Sequence, residues 1–173
     1  MKKISYGRAK IEDSLRISVL LKTVYIETYG KEGITFEFAN FIDKRFSVEY
    51  IEKIILENPD QFIIAYYDYN PIGAAEILYN TSCPVSKRTI PELSKLYVLN
   101  HFTGKGIGYG LLVESEKLLL EKGFKEVFLI AYIKNKRALS FYDRQGFKKI
   151  GKTDFVMENN SYVNWVMNKA ISR

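Results

Sequence analysis

The sequence holds one cysteine, one histidine, one tryptophan and four prolines among its 173 residues, and these scarcities close off several classes of protein. Cys83 has no partner for an internal disulfide, and with His101 as the single imidazole too few soft ligands remain for an ordinary structural zinc site, so no metal is expected. A Ser-His-Asp triad would have to take His101 as its base, and nothing near it forms a nucleophile turn. No apolar run approaches the roughly eighteen residues of a membrane span, and the N-terminus lacks a signal-peptide pattern, which points to a cytoplasmic protein that does not enter a membrane. Repeats, low-complexity tracts and Pro/Gly-rich linkers are absent as well. Residues 1–173 are therefore expected to fold as one domain, and a chain that is 47% apolar and 27% charged is large enough to bury a sizeable core.

What charge there is lies unevenly. Of the formal net +6, residues 1–100 contribute nothing, with thirteen Lys/Arg against thirteen Asp/Glu, while residues 101–152 hold eleven basic against five acidic. Within the balanced part, residues 12–60 carry ten acids and six bases. A basic and an acidic stretch suit an anionic and a cationic ligand at separate places, although such charges also serve simply to solvate helix faces.

Hydrophobic spacing gives the order of elements. Leu15, Val19, Leu20, Val24 and Ile26 predict a helix from Asp13 to about Tyr29 with those residues on its buried face, stopped by Gly30. Phe36 to Lys44 and a segment opened by Ser47 and ended before Pro59 predict two more helices. The period then changes. Phe62 to Tyr67 predicts a strand, Asp68 to Gly73 a turn, Ala74 to Tyr79 the returning strand, and Glu92 to Leu99 a strand that runs into glycines. A helix ending at Gly123, a strand from Val127 to Ile133, a helix capped by Asn135 and two strands, Asp154 to Met157 and Tyr162 to Met167, complete an α/β or α+β layer.

Glycines 104, 106, 108 and 110 follow the strand that ends at Leu99. Glycine allows left-handed backbone angles and close approach of an anion to main-chain amides, and a helix begins here, so the turn predicts a phosphate cradle. Its spacing departs from the dinucleotide pattern G-x-G-x-x-G, which would need a third glycine at Tyr109 or Leu111. Gly146-Phe-Lys-Lys-Ile-Gly-Lys-Thr153, by contrast, fits the P-loop pattern letter for letter. A P-loop needs a strand before it and a helix after it, and here the predicted order is reversed, so nucleotide hydrolysis is not expected.

Taken together, Glu92-Leu-Ser-Lys-Leu-Tyr-Val98, the turn Thr103-Gly-Lys-Gly-Ile-Gly108 with Leu111 and Leu112, and Asn135-Lys-Arg-Ala-Leu-Ser-Phe-Tyr-Asp-Arg-Gln-Gly-Phe147 resemble the GCN5-related N-acetyltransferase (GNAT) superfamily. Lys152 to Met157 followed by a polar turn and Asn164-Trp-Val-Met-Asn-Lys169 is similar to the ending of Pai-type spermidine/spermine acetyltransferases. The resemblance implies a mixed central sheet of six or seven strands flanked by helices, with a V-shaped splay between strands 4 and 5. It also implies transfer of acetyl from acetyl-CoA to an amine.

On that resemblance, backbone amides of Thr103, Gly104, Lys105, Gly106, Ile107, Gly108 and Tyr109 would wrap the CoA pyrophosphate. Thr103 departs from the Arg or Gln usual there, which shifts the binding onto backbone amides, Lys105 and the helix dipole. Pantetheine would add along Leu96–Leu99, past Tyr97, with the amide of Val98 near the thioester oxygen. Tyr142 would protonate the departing thiolate, Asn135 would contact CoA besides capping its helix, and Arg144 would meet a CoA phosphate. Freeing the lone pair of an alkylamine at neutral pH costs about 4 kcal/mol, so a base is needed. Glu92, on the strand face shared with Ser94, Leu96 and Val98, is the candidate, and Glu76 is its backup.

A small polyamine is the expected acceptor, met by acids of the front helices such as Glu27 and Glu32, with Glu76 behind them. A protein or peptide amine is the alternative acceptor, and a CoA-binding regulator without turnover is an alternative of another class. Nucleic acid is not expected, since the Lys/Arg cluster coincides with the CoA turn and no recognition motif is present. A homodimer remains open.

Overall fold

The computed structural model describes residues 3–158 and 160–172. In chain order the elements are β1 (Ile4–Arg8), α1 (Ser14–Tyr29), α2 (Phe36–Arg45), α3 (Val48–Glu57), β2 (Phe62–Tyr67), β3 (Asn70–Ser82) and β4 (Thr89–Val98), then α4 (Ile107–Glu121), β5 (Glu126–Tyr132), α5 (Lys136–Arg144), β6 (Lys148–Met157) and β7 (Asn160–Ala170). The seven strands form one open sheet in the order β1-β2-β3-β4-β5-β7-β6. β4 and β5 run parallel with Glu92 opposite Phe128, whereas the β1–β2, β2–β3, β5–β7 and β6–β7 pairs are antiparallel. This is the mixed α/β sheet the sequence predicts. No helix among the described residues is long and apolar enough to cross a membrane.

The chain divides into two compact units, Met1–Glu76 with Lys95–Ser115 and Ile77–Ser94 with Glu116–Arg173. β3, β4 and α4 each begin in one unit and end in the other. The first unit buries Ile17, Leu21, Phe46, Ile51, Phe62 and Ile64 almost completely, and each such side chain contributes about 1.5–3 kcal/mol of gross hydrophobic stabilisation. Ser47 caps α3 by accepting the amide of Tyr50 and Gly30 ends α1, as the sequence predicts, and Thr35 caps α2 by accepting the amide of Phe38.

The buried face of α1 differs from the predicted one. Ser14, Ile17, Ser18, Leu20, Leu21 and Val24 point inward, whereas Leu15, Val19 and Ile26 are 61%, 54% and 40% exposed. Two serines enter the core because their hydroxyls donate to backbone carbonyls, Ser14 to Ile11 and Ser18 to Phe46, which removes the cost of burying them. Asp13 is likewise buried, held by Arg16 and by the Tyr66 hydroxyl at 2.7 Å, which ties the start of α1 to β2.

Two strand boundaries also move. The β2–β3 turn is only Asp68-Tyr69, both with positive φ (47° and 72°), the signature of a tight two-residue hairpin. Pro71 therefore lies inside β3, opposite Tyr66 at a register irregularity where its missing N–H is tolerated. β1 has no counterpart in the sequence reading, because a five-residue edge strand containing Gly7 and Arg8 shows no apolar run. In the second unit, Cys83, Ile90, Phe128 and Val166 form a small core, and β6 and β7 are longer than their apolar stretches suggest.

Candidate functional site

The first unit holds the glycine turn. β4 closes where the Leu99 amide donates to the Ile72 carbonyl at 2.9 Å, and Asn100–Phe102 then form a short 3-10 turn. Gly104 and Gly106 follow with φ of +74° and +80°, and nothing lies within 4 Å of the point where a Cβ would stand on either. The backbone angle therefore demands these glycines, and a side chain would fill the open space above the turn. α4 starts at once at Ile107, whose 4%-exposed side chain anchors the corner, so the turn runs directly into the positive end of the helix dipole. This is the geometry of an anion cradle.

Gly110 serves a different need: a Cβ there would lie 2.1 Å from the Tyr6 hydroxyl, so β1 packs directly on the first turn of α4. Burial, then the charge of Glu114, raises the Tyr6 phenol above its ordinary pKa. Tyr97 packs its ring on the first unit's core. The Thr103 hydroxyl donates to the Asn100 carbonyl at 2.8 Å, so its proton is spent on the turn itself. The Lys105 ammonium lies 5.4 Å from the Phe102 ring centroid, and Tyr109 is 56% exposed.

Glu76 has been given another task than the one predicted. It is fully buried, and its carboxylate accepts from Arg45 Nη2 at 3.0 Å, from Gln61 Nε2 at 3.0 Å and from the Lys95 ammonium. Burial alone would raise this carboxyl, but Lys95, Arg45 and the Gln61 hydrogen bond together bring it below its ordinary value. A carboxylate with that many donors is an ion-pair centre. Glu27 and Glu32, by contrast, are exposed, so the three predicted acceptor acids do not share one environment.

Val98 and Gly108 also lie in the first unit, and the second holds Asn135, Tyr142, Arg144 and Glu92. Asn135 caps α5, its Oδ1 accepting the Ala138 amide at 3.2 Å. Tyr142 is 9% exposed and meets Phe147 edge-on at 5.6 Å between ring centroids. Arg144 is exposed and donates to Ser140 Oγ at 2.6 Å. Glu92 is half-buried on β4. Arg45, Gln61, Lys95 and Tyr6 were not anticipated. Lys95 carries a visible signal, since it stands between the inward positions Leu93 and Tyr97 of a strand and so requires an acid inside.

Residues 25–147 match the acetyltransferase (GNAT) family. An uncharacterized N-acetyltransferase of Methanocaldococcus jannaschii is 26% identical over 72% of this chain, and the chain spans only 55% of that relative's length. The spermidine N(1)-acetyltransferase of Thermoplasma acidophilum is 31% identical over 79% of this chain and 82% of its own length. Among solved structures, the PaiA N-acetyltransferase of Thermoplasma acidophilum in complex with coenzyme A superposes with a TM-score of 0.76 at 25% identity, covering 97% of this chain and 99% of that one.

Proposed function

This chain belongs to the acetyltransferase (GNAT) family; from that premise we propose that it is an N-acetyltransferase that moves acetyl from acetyl-CoA directly to a primary amine of a polyamine such as spermidine or spermine. The observation that carries the reading is the passage from β4 through two left-handed glycines into the N-terminus of α4. Its open space, outward amides and basic surroundings fit a diphosphate. Acetyl-CoA bound there supplies an acetyl thioester.

The amides of residues 103–109 hold the diphosphate, Thr103 through its backbone only, since its hydroxyl proton is already donated. The Val98 amide donates to the thioester oxygen, where negative charge grows as the amine attacks. Glu92 takes the proton that the attacking nitrogen loses, directly or through water. As the new C–N bond forms and the C–S bond breaks, Tyr142 gives its phenolic proton to the sulfur. Asn135, through the part of its amide not used in capping, and Arg144 contact the bound nucleotide portion. The polyamine is supported by the similarity to a spermidine N(1)-acetyltransferase and by the exposed acids Glu27 and Glu32, which suit a multiply charged cation.

Release of free thiol from acetyl-CoA across spermidine, spermine, lysine peptides and aminoglycosides tests this. Spermidine or spermine should give the fastest release. Release with lysine peptides alone would move the acceptor to proteins, and calorimetric binding without release would turn the chain into a CoA-binding regulator. Tyr142→Phe should lower turnover about a hundredfold with acetyl-CoA affinity nearly unchanged, and undiminished turnover would remove its role as the acid.

A further inference from the structure

We propose that Gly73 is a positioning residue for acetyl transfer, one that aims the Val98 amide through the peptide Val98 shares with Tyr97; this rests on the reading that the Val98 amide is the donor to the thioester oxygen. Gly73 lies buried near the start of β3, the neighbour of β4 in the sheet. A Cβ built on it would stand 2.9 Å from the Tyr97 carbonyl oxygen, 3.1 Å from Leu111 Cδ1 and 3.3 Å from Val98 Cγ2. The first contact is too short for a carbon beside a backbone oxygen, and Leu111 is fully buried, with little room to withdraw. Gly73 is not among the glycines with a positive φ. The backbone angle therefore accepts any residue here, and the close approach of β4 is what requires glycine.

Peptide geometry turns that approach into a direction. Every peptide bond among the described residues is trans, so the Tyr97 C=O and the Val98 N–H point opposite ways in one plane. The Tyr97 oxygen leans onto Gly73, and the Val98 hydrogen therefore points away from it. The plane is held on both sides. After it, the Leu99 amide donates to the carbonyl of Ile72, the residue before Gly73, at 2.9 Å. Before it, Lys95 is ion-paired with Glu76 of β3. Ile72 is itself the extra residue of a bulge, since Ala65 stands opposite Gly73 while Tyr66 stands opposite Pro71, so β3 bends where it meets this peptide. With both flanks fixed, a methyl on Gly73 is relieved by turning the Tyr97–Val98 peptide. Turning it swings the N–H off the point where negative charge grows, and such a donor works by being aimed before the charge appears.

The test compares the wild type with Gly73→Ala in three measurements: the single-turnover rate of acetyl transfer to the amine the wild type uses fastest, acetyl-CoA affinity by calorimetry, and the infrared stretch of the isotopically labelled thioester carbonyl in bound acetyl-CoA without amine. A hydrogen bond to a carbonyl lowers its stretching frequency, so the band reads the donor directly. Gly73→Ala should slow transfer by about ten- to a hundredfold, keep acetyl-CoA affinity within about threefold, and move the band to higher frequency. Where crowding against Leu111 impairs folding, the double variant G73A/L111V withdraws Cδ1 and leaves the Tyr97 contact. It should melt higher than Gly73→Ala while keeping the slow transfer and the moved band. Wild-type transfer in Gly73→Ala, slow transfer with an unmoved band, or a double variant restored in both rate and band would each overturn the proposal and leave the acetyl-transfer reading standing. A wild type that binds acetyl-CoA and transfers to no amine would overturn both.

Discussion

Two segments of this chain look alike on paper, each setting lysine among glycines, yet they are opposite physical objects. Thr103 to Gly110 leaves a strand and enters a helix, so its left-handed glycines present amides at the positive end of α4. Gly146 to Thr153 leaves a helix and enters a strand. Gly146, with φ of +88°, terminates α5 at its negative end, the lysines that follow stand exposed on β6, and Gly151 is needed because Val85 Cγ2 would lie 2.7 Å from a Cβ there. The P-loop letters are complete in the second segment and absent from the first, but only the first meets the requirement behind them. The direction in which the chain meets the helix decides whether glycines make an anion site.

That contrast breaks most sharply at Gly106. A branched residue at φ of +80° cannot keep the turn, so Gly106→Val should weaken acetyl-CoA binding by about a hundredfold or more in calorimetry. Gly110→Ala drives a methyl onto the Tyr6 hydroxyl and should cost about 1–3 kcal/mol of stability, read by denaturant unfolding, with a smaller loss of acetyl-CoA affinity because the first turn of α4 shifts. In the other segment, Gly146→Ala should cost about 1 kcal/mol through its left-handed angle and leave acetyl-CoA affinity unchanged, a dissociation the same two measurements detect. The smallest effect belongs to Thr153→Ala, which should leave the heat of titrating magnesium ATP at the background level of the wild type; saturable binding lost in the variant would restore the second segment as a nucleotide site.

Helix caps and the strand-turn-helix passage were legible in the sequence because they depend on local residues: Thr35 was not named in advance, but Ser47, Asn135, Gly30 and Gly123 all mark ends that the structure retains. The face of α1 was not legible, since counting apolar residues treats Ser14 and Ser18 as solvent-facing; Ser14 bonds the nearby Ile11 carbonyl, but the bond of Ser18 to the Phe46 carbonyl arises only when backbone 28 residues away is in place. β1 was invisible because its stability comes from pairing with β2 rather than from its own composition. In the sequence Glu76 is an acid on a strand, suited to an amine or to a base beside one. Its partners lie 31, 15 and 19 residues away in the sequence, and no local pattern announces such a meeting.

That meeting has a consequence for how the chain reaches its native state. Glu76 belongs to β3 and Lys95 to β4, and both are shut inside the first unit with Arg45 from α2. If β4 slipped by one residue during folding, Lys95 would turn to the other sheet face and Ser94 or Leu96 would be offered to the carboxylate. A slip of two would offer Leu93 or Tyr97. Each mispairing strands a charge in an apolar interior, at a cost of several kcal/mol, while a purely aliphatic core would forgive it. The cluster thus acts as a proofreader, rejecting wrong registers of the strand whose last residues lead into the glycine turn.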